Sequence, residues 1–111
     1  MTVSKAETEF IRSVREYLHL RGALTVRVNA GLTVLGEGDS RRVIRGAEKG
    51  TSDLLGCYKG RFFAIETKVG KNTPTPEQQA FLQSVRDNGG IAFAAWSLDD
   101  IDAGFGWEAY R

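Results

Sequence analysis

The sequence predicts a mixed α/β fold, and three observations carry that expectation. An amphipathic stretch near the N-terminus places apolar residues at helical spacing. A group of short alternating segments follows, punctuated by glycine. A second helical stretch then runs through Gly89-Gly90 into a wholly apolar strand. The order is helix, three or four strands, helix, strand. At 111 residues the chain is long enough for one core, and it carries no repeat, linker or low-complexity run. Residues 1–111 are therefore expected to form one domain.

In residues 5–20, Phe10, Ile11, Val14, Tyr17 and Leu18 follow the i, i+3, i+4, i+7 pattern, and Gly22 ends the helix. Thr25 to Asn29 alternates as a strand, with a bend at Ala30-Gly31. Segments 33–35 and 41–44, joined through Gly36-Glu37-Gly38-Asp39, suggest a mobile hairpin. Ser52 to Tyr58 and Arg61 to Lys68 read as two further strands joined by Lys59-Gly60, a two-residue turn suited to a hairpin. Thr75 is a good helix N-cap before Pro76, and that helix packs Phe81, Leu82 and Val85 before stopping near Asn88. Ile91 to Trp96 is the apolar strand, and Ser97 caps a short helical turn through Leu98 and Ile101.

The carboxylate hairpin carries the chemistry. If Lys59-Gly60 is the loop, Tyr58 faces Arg61, and counting back sets Asp53 opposite Glu66. Thr51 would meet Lys68 if pairing ran that far. Period-2 alternation puts Glu66 and Lys68 on one face. Opposed like charges destabilise a strand pair, unless a cation sits between them. Carboxylate oxygens suit Mg²⁺ or Mn²⁺, which keep several waters and take phosphate oxygens as further ligands. Lys68 would orient a bound water or stabilise developing charge. The plainer reading is a surface strand pair with a salt bridge.

Other residues admit two readings each. Glu7 falls within the apolar stripe of the first helix, where it would need a partner. It also sits in the first turn, where an acid meets the helix dipole. Glu9, Glu16 and His19 fall on the solvent side. Gln78 fits a capping box with Thr75. Cys57 shares strand parity with Asp53 but reads as a small core thiol; as the one cysteine it excludes an internal disulfide. Arg41, Arg42, Arg45 and Lys49 are either a solvated edge or a phosphate grip, and Arg27 and Lys71 join them as candidate phosphate contacts. The aromatics Phe105, Trp107 and Tyr110 either fold back over the sheet or, with strand 32–35, seal a dimer.

Composition frames these sites. Residues 1–71 hold 13 Lys and Arg against 8 Asp and Glu, a balance of +5, whereas residues 72–111 hold 2 against 6, a balance of −4. The basic excess travels with the carboxylate hairpin and favours a polyanionic substrate. No apolar stretch approaches the roughly 20 residues of a membrane span. The charged N-terminus lacks a signal-peptide core, so a cytoplasmic setting is expected.

With those residues in view, the chain resembles the VRR-NUC family, a compact branch of the PD-(D/E)xK restriction-endonuclease-like superfamily. The likeness runs from about Glu7 to Asp100. It rests on Glu7, on Arg27-Val28-Asn29-Ala30-Gly31, on Gly50-Thr51-Ser52-Asp53-Leu54-Leu55-Gly56, on Ala64-Ile65-Glu66-Thr67-Lys68, on Thr75-Pro76-Glu77-Gln78 and on Gly89-Gly90. One departure is Ser52, where the superfamily name carries proline.

The resemblance implies a restriction-endonuclease-like core and a Mg²⁺- or Mn²⁺-dependent DNA nuclease. Asp53, Glu66 and the Thr67 carbonyl would bind metal, Lys68 would be catalytic, and Glu7 and Gln78 would complete the site. Stand-alone members are similar to viral or bacterial homodimers that act on branched DNA, including four-way (Holliday) junctions. The alternatives are a monomeric nicking or flap nuclease, and a non-catalytic nucleic-acid-binding module.

Overall fold

The computed structural model describes residues 4–29, 32–45 and 47–108. The fold is mixed α/β, a four-stranded mixed sheet with three α-helices among the described residues. In chain order the elements are α1 (Lys5–Leu20), β1 (Leu24–Arg27), β2 (Leu32–Leu35), β3 (Arg42–Arg45), β4 (Leu54–Tyr58), β5 (Arg61–Thr67), α2 (Pro76–Asp87), β6 (Ile91–Ala95) and α3 (Leu98–Phe105). The main sheet has the order β1-β4-β5-β6. Its first three strands are antiparallel neighbours, and β6 lies parallel to β5. That parallel pair needs a crossover, which α2 supplies.

Both long helices start and stop on local signals. The Ser4 hydroxyl accepts from the Glu7 amide to open α1. At its end Ala23 and Gly22 donate back to the Leu18 and His19 carbonyls, the paired bonds of a Schellman closure. Thr75 and Gln78 form a full capping box on α2, with Pro76 in the first turn. The same Schellman pairing recurs after α2, from Gly90 to Val85 and from Gly89 to Arg86.

Strand alternation sorts the apolar residues into two layers. Leu54, Phe63, Ile65 and Ala95 pack with Ile11, Val14, Tyr17 and Leu18 of α1 and Ile101 of α3. On the other face, Leu55, Ala64 and Ala92 pack with Phe81, Leu82 and Val85 of α2. The helix α2 lies over β5 and β6, with Leu55 of β4 packing at the edge of that layer. The uncovered half of that face carries Leu24, Val26 and Phe62, all exposed. Cys57, expected in the core, belongs to this uncovered half and is exposed.

Phe105 and Trp107 fold back onto the sheet. Their rings stack at 4.2 Å, and Phe105 meets Tyr58, Phe63 and Phe93 edge-on. Arg21 lies 4.6 Å over the Trp107 ring. These two aromatics thus pack internally and are partly buried. Tyr110 lies outside the described residues, as does the bend at Ala30-Gly31. The pair β2–β3 forms the expected hairpin as a separate two-stranded sheet, and among the described residues its strands touch only each other.

Candidate functional site

Lys59 and Gly60 have φ of 48° and 82°, the two positive values a type I′ turn requires. Glycine adopts the second without cost. The turn fixes the register, with Tyr58 opposite Arg61 and Leu54 opposite Ile65, as the spacing predicts. Regular pairing stops at Leu54, so Asp53 begins just where the ladder ends. Thr51 does not reach Lys68: its amide turns to the Glu48 carbonyl, and the Lys68 amide bonds Ala95 of β6 instead.

Asp53 makes the next contact with its side chain. Its Oδ2 accepts from the Thr67 amide at 3.0 Å and from the Thr67 hydroxyl at 2.8 Å. Antiparallel alternation would have sent that amide to the main chain of Ser52. The Asp53 main chain is held separately, its carbonyl accepting from Val28 at 2.7 Å. Upstream, Gly50 has φ of +93°, and a Cβ there would lie 2.7 Å from the Glu77 carbonyl oxygen. The loop leading to Asp53 is therefore seated on the first turn of α2, where Lys49 also pairs with Glu77 at 3.6 Å.

Glu66 is 2% exposed, and Ser52 beside this loop is fully buried. Glu66 shares strand parity with Ala64, on the α2 layer of the sheet. Lys68 Nζ sits 3.5 Å from Glu66 Oε1. The other oxygen, Oε2, is buried with no hydrogen-bond partner, as is the Ser52 hydroxyl. Burial, and then the neighbouring Asp53 carboxylate, push Glu66 up to about 8, against a smaller downward pull from Lys68. At neutral pH Glu66 therefore favours its protonated form, and a bound cation would favour the ionised one.

The structure thus brings together Asp53, Glu66, Thr67 and Lys68. Glu7 stands on a different element, α1. The helix α1 packs on the opposite layer of the sheet, and Glu7 is a half-buried first-turn residue. Among the described residues no three of His, Cys, Asp and Glu gather closely enough to hold one ion. Gln78 spends its Oε1 on the Thr75 amide at 2.9 Å, the capping role. Arg27, Arg41, Lys49 and Lys71 are exposed. Arg42 and Arg45 stand on β3, and their side chains lie outside the described residues. His19, Glu9 and Glu16 are exposed, as the helical spacing predicts.

Two features escaped the sequence reading. One is the side-chain cap on Thr67, for which the Asp-before-strand position was the available signal. The other is a groove of about 1130 Å³ between α1 and β1, which none of Asp53, Glu66 and Lys68 lines. No family model matches the chain, and no curated protein matches it either. No helix among the described residues is long and apolar enough to cross a membrane.

Proposed function

We propose that this chain is a metal-dependent endonuclease that hydrolyses phosphodiester bonds in DNA, selective for branched structures such as four-way junctions. The observation that carries the reading is Glu66, buried beside Asp53 with Oε2 unpartnered and its ionisation pushed up to about 8. A buried carboxylate left this way is costly in a purely structural role, and perturbed acids concentrate at functional sites. The resemblance to VRR-NUC nucleases supplies the reaction class, and with it a restriction-endonuclease-like core.

The residues fit a hard divalent cation. Asp53 and Glu66 would hold Mg²⁺ or Mn²⁺ through oxygen, with a main-chain carbonyl such as that of Thr67, water and phosphate completing the shell. When bound, such an ion polarises phosphate oxygens and lowers the pKa of a bound water. The chain's own groups do the rest. Thr67 holds the Asp53 carboxylate in place through two bonds. Lys68, largely buried and 3.5 Å from Glu66, supplies a fixed positive charge where the phosphate becomes more negative. The exposed cations Arg27, Arg41, Lys49 and Lys71, with Arg42 and Arg45, would meet the DNA backbone. Glu7 and Gln78 belong to this proposal through the resemblance alone.

A homodimer would set two such sites on the symmetric strands of a junction. The internal packing of Phe105 and Trp107 favours a second reading, a monomeric nicking or flap nuclease. The deciding experiment incubates the protein with labelled junction, flap and linear duplex, in Mn²⁺ or in EDTA. Cleavage in Mn²⁺ that vanishes in EDTA and in Glu66→Gln is expected. Binding to DNA with no cleavage of any substrate in Mg²⁺ or Mn²⁺ would leave a non-catalytic module.

A further inference from the structure

The helix α1 turns one polar face toward the groove it shares with β1. Lys5, Thr8, Arg12, Arg15 and His19 all line it, at steps of three or four residues along a single stripe. From Lys5 to His19 the stripe runs about 21 Å, the axial rise of about six base pairs. Arg27 of β1 also lines the groove. Glu9 and Glu16 also line the groove, so four Lys and Arg face two acids there. Arg15 is steadied by a bond from Nε to the Thr25 hydroxyl at 3.4 Å. Arg12 forms no ion pair with either acid: the ion pairs among the described residues are Lys49–Glu77 and Lys68–Glu66.

The groove adjoins the acid pair without sharing its face. Arg27 pairs with Leu54, the residue after Asp53, and Val28 bonds the Asp53 carbonyl. Adjacent strands lie about 4.8 Å apart. The stripe belongs to the α1 side of the sheet, whereas Glu66 projects to the α2 side. A straight duplex laid against Asp53 and Glu66 would not also lie in this groove, because the edge strand β1 separates them.

We infer that the groove between α1 and β1 holds the phosphate backbone of a second DNA arm, so that the chain grips branched or sharply bent DNA on both sides of β1. This rests on the nucleic-acid part of the proposed function. It adds a binding track that the acid pair does not need for chemistry. Cations spaced along one face contact successive phosphates and release condensed counterions, so the track contributes affinity in proportion to the phosphates it neutralises. The acids Glu9 and Glu16 work against it.

The test is fluorescence anisotropy in EDTA, with a labelled four-way junction and a linear duplex of equal length, over a series of salt concentrations. Arg12→Ala with Arg15→Ala removes two exposed charges while keeping a good helix former. For the junction the double variant is expected to bind about tenfold more weakly, with the log–log salt slope reduced by about 1.8. Linear duplex should bind nearly as before, and Glu9→Gln with Glu16→Gln should tighten the junction complex. Unchanged junction affinity, or an equal loss on junction and duplex, overturns the inference. So does a change in sedimentation without DNA, which would make the groove a contact between copies of this chain. Cleavage separates the two readings. A wild type that cuts in Mn²⁺ but binds independently of Arg12 and Arg15 keeps the nuclease and loses the groove. One that binds through them but never cuts keeps the groove and loses the nuclease.

Discussion

Asp53 stands in for main chain at the end of β5: its Oδ2 takes the Thr67 amide and hydroxyl at 3.0 and 2.8 Å. Burial, and then this same carboxylate, raise Glu66. One side chain therefore closes the sheet edge and adds to the upward push on its neighbour. Asparagine can accept both bonds through its amide oxygen but carries no charge. Alanine can do neither.

Asp53→Asn and Asp53→Ala should consequently part company. Both are expected to abolish metal-dependent cleavage. Asp53→Asn should keep the fold, and without metal at pH 8 its melting temperature should match or exceed that of the wild type, because Glu66 then ionises more easily. Asp53→Ala leaves a buried amide unpaired and should lose about 1–3 kcal/mol. Urea unfolding of the three proteins reads the difference, and near-wild-type cleavage in either variant would end the metal-site reading.

The raised Glu66 makes a pH prediction with a definite sign. Its folded value of about 8 lies above the ordinary 4.5, so between those limits the native state binds more protons than the unfolded chain. Stability without metal should fall as pH rises from about 5 to about 8 and then level off. The melting temperature is expected to drop by about 5 °C or more over that window. Glu66→Gln should flatten the profile. Saturating Mn²⁺ should flatten it too, by favouring the ionised form, and calorimetry at pH 7 should record proton release on metal binding.

Much of this site was legible in the sequence because a two-residue turn leaves no freedom of register. Once Lys59-Gly60 is the loop, Asp53 and Glu66 must fall level. The capping box was legible for a similar reason, since Thr75 and Gln78 stand at the one spacing that permits it. The cap on Thr67 was not, because strand counting assigns partners to main chain and says nothing of a side chain that replaces one. Nor was the exposure of Cys57. Alternation assigns a residue to a face, but how far α2 extends across that face depends on the helix's placement, which covers β5 and β6 and leaves Cys57 of β4 exposed. Glu7 shows the same limit from the other side: the helical stripe locates it toward the core, while the layer on which α1 packs decides which face of the sheet it can meet.

Gly104 offers a test of the core that is independent of function. It lies within α3, and a Cβ there would stand 2.3 Å from the Phe93 ring. Gly104→Ala gains about 1 kcal/mol of helix propensity but must displace a ring that already meets Phe105 edge-on at 5.6 Å. Overpacking of this kind costs about 1–3 kcal/mol. The variant is expected to be destabilised on balance, with a lower urea midpoint and an unchanged slope. A higher midpoint would mean that Phe93 has room to move that the packing denies it.

Lys68 is the residue whose role is most easily confused. A cation beside a phosphate site can bind substrate, or it can stabilise charge that develops only during reaction. Its position favours the second: it is largely buried, 3.5 Å from Glu66, and held at the main chain by its amide bond to Ala95. An exposed phosphate contact needs no such anchoring. Lys68→Ala should therefore lower the single-turnover cleavage rate by about a hundredfold or more, while DNA affinity in EDTA changes by less than about threefold. Lys68→Arg should not restore the rate, since the planar guanidinium needs more room than the ammonium it replaces. A loss confined to affinity, with the rate at saturating protein intact, would make Lys68 one more contact to the DNA backbone.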